Sequence, residues 1–162
     1  MTIEIILTGS FGVGKTSLFN RFIHEEFTDK YFGTIGVRVN SREITVGTSN
    51  ISLKLWDIAG EVNQEQVPLN YFLDKNVIIY VVDLNRPFTY KNIESDLDHL
   101  RKVAPTCKII VVGNKTDLLV EGKLNEIKAG KIDIDFDYFV CAKTGEYVDD
   151  LFAGIAKDQM VA

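Results

Sequence analysis

Gly9-Ser10-Phe11-Gly12-Val13-Gly14-Lys15-Thr16 follows at once on the apolar run Ile3-Glu4-Ile5-Ile6-Leu7, and the order strand, glycine loop, helix is that of a phosphate-binding loop. Glycines let the backbone turn its N–H groups inward around an anion, and the positive end of the helix that opens at Lys15 adds to the attraction. On this reading Gly12, Val13, Gly14, Lys15, Thr16 and Ser17 line the cradle. Lys15 brings a mobile charge between β- and γ-phosphates, and the Thr16 hydroxyl is a Mg²⁺ ligand. The competing reading is an accidental glycine-rich turn. The position of the loop, where a parallel sheet presents its ligands, weighs against it.

Working outward, short β-branched runs alternate with helical segments, the rhythm of an α/β fold, with no repeat, low-complexity tract or linker. Strands are expected at Ile3 to Thr8, Val37 to Val46, Ile51 to Asp57, Val77 to Asp83, Lys108 to Gly113 and Phe136 to Cys141. Gly47-Thr48-Ser49-Asn50 reads as a hairpin turn, so the second and third strands run antiparallel in an otherwise parallel six-stranded sheet with helices on both faces. Helices are expected at Lys15 to Glu25, Gln64 to Leu73, Tyr90 to Val103, Leu124 to Lys131 and Glu146 to Gln159. The unbroken apolar runs Val77 to Val82 and Ile109 to Val112 imply strands buried on both faces.

Asn114-Lys115-Thr116-Asp117 comes directly after the fifth strand and suggests which base is bound. A carboxylate in the plane of the base accepts from guanine N1–H and N2–H₂ together, whereas adenine offers an acceptor at N1 and no donor at position 2. Each charge-assisted bond is worth about 1.5–3 kcal/mol, so Asp117 discriminates by several kcal/mol. Lys115 lays its stem on the ring, Asn114 ties this loop to the phosphate loop, and Cys141-Ala142-Lys143 offers the Ala142 N–H to guanine O6. Alone, the tetrapeptide is a common surface turn. Its place after the fifth strand, with Cys-Ala-Lys after the sixth, favours the nucleotide reading.

The 162 residues suffice for one domain with one sizeable core. A hydrophobic content of 46 % with 25 % charged residues is that of an ordinary soluble protein, and a net charge of −5 disfavours nucleic acid or anionic lipid as the main partner. Cys107 and Cys141 stand in apolar strand-like runs without metal or redox spacing and read as buried free thiols in a reducing compartment. No signal-peptide pattern and no apolar run of roughly 20 residues is present, so the expected location is cytoplasmic. His24 and His99 lie on predicted helices without a second ligand at metal spacing. Asp133, Asp135 and Asp137 alternate with Ile132, Ile134 and Phe136 as a loop or solvated strand face.

From Gly9 to about Lys157 the chain resembles the small GTPases of the Ras superfamily, and within it the Rab-like branch. The resemblance implies a single P-loop NTPase G domain spanning residues 1–162, a monomer that binds GTP and GDP with Mg²⁺ and hydrolyses GTP. It implies that Phe27 packs edge-on against guanine, that Tyr31 lids the phosphates, and that Thr34 completes the Mg²⁺ shell with Thr16 and Asp57. It further implies that the Gly60 N–H senses the γ-phosphate. With GTP bound, loops around Thr34 and Gly60 are pinned by the third phosphate and its metal, and hydrolysis releases them. Effectors and exchange factors read that difference. Val39, Trp56 and Tyr71 fall where Rab-like proteins expose an apolar partner-binding triad; the alternative for Trp56 is plain sheet covering.

Three residues depart from the family pattern, two of them beside the transferred phosphate. After Gly60 the family carries Gln, which accepts from the attacking water and donates toward the transferring phosphoryl group; here Glu61 cannot donate and adds negative charge beside an anionic transition state. Gln64, three positions on, is too distant to substitute. Phe11 replaces a small residue facing the γ-phosphate and the path of an activator's arginine, which in Ras-type GTPases is worth about 10³ to 10⁵ in rate; packing against the second loop is the bland reading. Cys141 stands for the usual Ser, and a thiol donates weakly. The chain ends at Gln159-Met160-Val161-Ala162 without the cysteine-bearing tail of prenylated relatives, leaving membrane association to a partner or a tail absent from this chain. Three functions follow in decreasing order: a slow GTPase switch, a non-hydrolysing guanine-nucleotide module, and a P-loop kinase or ATPase, the last disfavoured by the guanine-reading loop.

Overall fold

The structure is a computed structural model that describes residues 1–28, 36–58 and 67–162. Strands β1 (Thr2–Thr8), β2 (Val37–Val46), β3 (Ser49–Ile58), β4 (Val77–Asp83), β5 (Lys108–Asn114) and β6 (Tyr138–Phe139) form a six-stranded sheet in the order β2-β3-β1-β4-β5-β6. Helices α1 (Lys15–His24), α2 (Ile93–Val103), α3 (Lys123–Glu126) and α4 (Val148–Val161) accompany it. Among the strands of the described residues only β2 and β3 pair antiparallel, from Val37 opposite Ile58 to Val46 opposite Ser49, while β1, β3, β4, β5 and β6 run parallel. The P-loop GTPase architecture inferred from the sequence is therefore present.

The period-two alternation of the parallel strands divides the core into two layers. Ile3, Ile5 and Leu7 of β1 turn to one face, where Leu18, Phe19 and Phe22 of α1 and Leu151, Phe152 and Ile155 of α4 cover them. The Phe22 and Phe152 rings stack there, centroids 3.9 Å apart. Ile6, Ile78, Tyr80 and Val82 turn to the other face under Ile93, Leu97 and Leu100 of α2. Every residue of β4 is buried, as expected of a strand covered on both sides. Its one polar side chain in that layer, Tyr80, donates to Asp96 Oδ2 at 2.6 Å, and burial together with that carboxylate pushes the phenol well above its usual range.

Several expected boundaries move for identifiable reasons. The hairpin turn is Gly47-Thr48 alone, because Ser49 and Asn50 already pair with Val46 and Thr45. The sixth strand shrinks to two residues. Asp137 turns its carboxylate onto the Val111 N–H at 2.7 Å, taking a place in the ladder with a side chain, and Cys141 already bridges to Glu146. Ile132, Ile134 and Phe136 anchor the preceding loop to the α2-side core, which explains their alternation with aspartates. The helix expected from Tyr90 begins at Ile93, since Pro87–Thr89 forms a 3₁₀ turn closed by the Thr89 hydroxyl. The segment from Leu124 divides into α3 and a π turn, Ile127–Lys131, that ends where Gly130 takes φ 90°. Of the helix expected over Gln64 to Leu73, Gln64 lies outside the described residues; after Pro68 the chain makes only a 3₁₀ turn, Leu69–Phe72. Cys141 is buried as expected, but Cys107 precedes β5, is half-buried, and donates its thiol to the Lys75 carbonyl at 3.0 Å.

Candidate functional site

The carboxyl ends of β1, β3, β4, β5 and β6 bring the sequence-distant motifs to one edge of the sheet. At the end of β1, Gly9 takes φ 136°, and a Cβ there would collide with the Val81 carbonyl of β4. Gly14, at φ 102°, precedes α1, and a Cβ would strike the Asn114 amide. Gly9 admits no other residue without moving strand β4, nor Gly14 without moving the Asn114 side chain. Lys15, only 5 % exposed, folds back across the loop, its Nζ donating to the carbonyls of Gly9 at 2.7 Å and Ser10 at 3.0 Å. Val13 is buried, Ser17 half-buried, and Phe11 stands 54 % exposed at the loop tip.

Thr16 Oγ1 donates to Asp57 Oδ2 at 2.7 Å, joining α1 to the end of β3. Asp57 is fully buried, and its Oδ1 has no hydrogen-bond partner among the described residues. Burial raises its pKa, opposed by the Thr16 bond and by the charges of Lys15 and Arg38. A dehydrated carboxylate oxygen beside a threonine hydroxyl is an all-oxygen donor set suited to a hard divalent cation, so the residues present fit Mg²⁺.

Asn114, 1 % exposed at the end of β5, binds both neighbouring loops: its Nδ2 donates to Val13 O at 3.0 Å and its Oδ1 accepts from the Ala142 N–H at 3.1 Å. The expected tie to the phosphate loop is thus present. The Ala142 N–H, expected to face a base, also meets the need of a buried amide oxygen for a donor. Lys115, at φ 66°, donates to Gly12 O at 2.8 Å and pairs with buried Asp83 Oδ2 at 2.9 Å. Asp117 is exposed, its Oδ1 accepting from Cys141 Sγ at 3.2 Å. Two arginines that carried no signal in the sequence complete the edge. Arg21 of α1 donates through Nε to Ala142 O at 2.8 Å and also to the Lys143 carbonyl. Arg86 reaches the carbonyls of Gly12 and Phe11. Phe27 is half-buried just beyond α1, whereas Tyr31, Thr34, Gly60, Glu61 and Gln64 lie outside the described residues.

Residues 4–160 match the model of the Ras family. Ras-related protein Rab-4 of Dictyostelium discoideum is 31% identical over 154 residues, covering 93% of this chain and 75% of that one. Ras-related protein RABG3a of Arabidopsis thaliana is 30% identical over 168 residues (96% and 81%), and Ras-related protein Rab-1C of Dictyostelium discoideum 31% over 163 residues (98% and 81%).

The chain belongs to the Ras family.

It is a Rab-like member of that family of GTP-binding switches. The Rab-type triad is only partly open. Val39 is 42 % exposed and faces Trp56 across the β2–β3 ladder. Trp56 is half-buried: its Nε1 donates to Glu4 Oε2 at 2.5 Å and the Lys75 ammonium sits 4.0 Å from its ring centroid. Charged side chains of β1 and of the segment before β4 thus cover the indole, as in the sheet-covering alternative. Tyr71 is half-buried in the α2-side layer, and Leu69 and Leu73, which the sequence did not single out, are 60 % and 63 % exposed beside it. His24 is exposed, and His99 is half-buried with a partnerless Nε2 among the described residues.

Asn114→Ala leaves two buried backbone groups, Val13 O and the Ala142 N–H, without this amide. At about 1–3 kcal/mol for each group, the substitution is expected to lower stability by about 2 kcal/mol or more in urea unfolding, whereas Asn85→Ala, on the neighbouring loop after β4 and exposed, changes it by less than about 0.5 kcal/mol. A loss at Asn114 no larger than that at Asn85 contradicts the assignment.

Proposed function

We propose that this Ras-family chain acts as a single G domain over residues 1–162, a monomeric, cytoplasmic, Mg²⁺-dependent switch that binds GTP and hydrolyses it slowly to GDP. The observation that carries the reading is the buried Asn114 amide that joins the phosphate loop to the loop after β6, with Asp117 projecting from the same segment. A ligand bound here would be held at its ring and at its phosphates by parts that cannot move independently.

In this reading the N–H groups from Gly12 to Ser17 and the Lys15 ammonium hold the phosphates, and the Asp117 carboxylate accepts from guanine N1–H and N2–H₂. The Cys141 thiol, 3.2 Å from Asp117, holds that carboxylate with a weaker bond than a serine hydroxyl would. Lys115, with its ammonium committed to Gly12 and Asp83, leaves its methylene stem for the ring face, with Phe27 at the ring edge and Ala142 and Lys143 bordering it. Thr16, Thr34 and Asp57 would hold Mg²⁺, which when bound neutralises charge on the phosphate oxygens. Tyr31, Thr34 and Gly60 would belong to the segments whose state depends on the third phosphate, and effectors and exchange factors would bind there. No helix among the described residues is long and apolar enough to cross a membrane.

Catalysis rests on Lys15, Gly60 and Glu61. Lys15 stabilises negative charge on the phosphate oxygens, the Gly60 N–H donates to the transferred group, and Glu61 orients water without being able to donate toward the phosphoryl group. A second reading, a module that binds GTP without turnover, rests on Glu61 and Phe11 together: Glu61 cannot donate toward the phosphoryl group, and the Phe11 ring, exposed at the loop tip, crowds the approach of an activator's arginine.

Single-turnover phosphate release from bound GTP separates the two readings. The switch predicts release over minutes to hours and a faster rate in Glu61→Gln; no release over days supports the inert module, and no gain in Glu61→Gln rejects the role given to Glu61. Phe11→Gly is expected to gain stimulation by an arginine-inserting Rab activator to which the unsubstituted chain is insensitive, and equal stimulation of both proteins rejects the blocking role.

A further inference from the structure

Between β4 and α2 the chain builds a rigid mount for one guanidinium. The Arg86 N–H donates to Asp83 O at 3.0 Å, the Thr89 N–H to Arg86 O at 2.9 Å, and the Thr89 hydroxyl to Arg86 O at 2.8 Å, so the backbone on both sides of Arg86 is bonded to its own turn. The guanidinium lies 4.6 Å from the Phe88 ring centroid and 3.7 Å from the buried Asp83 carboxylate. From that mount Nη1 donates to Gly12 O at 3.2 Å and Nη2 to Phe11 O at 3.3 Å, a fork set against two successive carbonyls. The approach is close enough that a Cβ on Gly12 would come within 2.9 Å of Nη1.

Those carbonyls belong to the peptide units whose N–H groups are those of Gly12 and Val13. Lys115 donates to the same Gly12 carbonyl at 2.8 Å, so one peptide unit of the phosphate loop accepts from two cations. A carbonyl that accepts from a cation draws electron density from its own peptide unit and makes its N–H a stronger donor, and this polarisation is largest where water is excluded. We infer that Arg86 is a positioning residue for phosphate: it fixes the tip of the phosphate loop and strengthens the Gly12 and Val13 N–H groups as donors to the β-phosphate. The inference rests on the nucleotide reading proposed above. A lysine cannot replace it, since one ammonium on a flexible stem does not span two carbonyls. A simple stabilising pair with Asp83 is the alternative, and it predicts no dependence on which phosphates the ligand carries.

The test measures GDP and GMP affinities with Mg²⁺ for the full chain and for Arg86→Ala and Arg86→Lys. These ligands differ only in the β-phosphate. Arg86→Ala is expected to weaken GDP about 10-fold and GMP less than about 2-fold, with Arg86→Lys lowering the GDP-to-GMP ratio by about 3-fold, as a charge-assisted contact would. Arg86→Lys carries the test if Arg86→Ala does not fold. Equal weakening of both ligands, or none, overturns the inference while leaving the nucleotide reading intact; failure of the unsubstituted chain to bind GDP rejects both.

Discussion

One buried side-chain amide, Asn114, sets the relation between the loops that follow β1, β5 and β6. Its two ends have opposite hydrogen-bonding character, and each meets a backbone group of matching kind, Val13 O and the Ala142 N–H. Val13 is 101 residues away in sequence and Ala142 is 28 away, so no local turn could fix their separation. Asp in its place would leave Val13 O without a donor, and a longer amide would push the loops apart. Because buried polar groups must be paired, the amide converts a packing problem into a distance constraint. Gly14 follows from it, since a side chain there would occupy the space the amide needs.

A chain with net charge −5 can hold a polyanion because the field at the sheet edge is local. The start of α1, Lys15, Lys115 and Arg86 gather at one loop, and the two cations nearest its tip are oriented by buried Asp83, 2.9 Å from Lys115 and 3.7 Å from Arg86. Asp57 is the complement. One of its oxygens takes the Thr16 hydroxyl and the other, among the described residues, takes nothing, so burial raises its pKa. A cation bound beside it would relieve that cost, and this couples the metal to the phosphate loop through Thr16.

The parts of this architecture that were legible in the sequence are those written in consecutive residues. The unbroken apolar runs of β4 and β5, the hairpin between β2 and β3 and the glycine loop after β1 depend on local pattern, and they appear where that pattern puts them. The parts that were not legible depend on side chains reaching across the fold. Asp137 displaces strand pairing by bonding Val111, the Ala142 N–H turns to Asn114, and Arg21 and Arg86 close loops that are distant in sequence. An arginine in a polar stretch has no periodicity to betray such a role. Trp56 shows the same limit from the other side: its place on β3 was readable, but the Glu4 and Lys75 partners that cover it were not.

The central claim is that these loops form one site that admits guanine and grips a diphosphate with the help of a divalent cation. Displacement of a fluorescent GDP from the purified chain by unlabelled GDP or ADP, with and without Mg²⁺, tests it most directly. The account predicts that ADP competes at least about 100-fold more weakly than GDP, from the several kcal/mol lost when Asp117 faces adenine, and that GDP is held more tightly with Mg²⁺. ADP competing as well as GDP, or GDP binding indifferent to Mg²⁺, would contradict it.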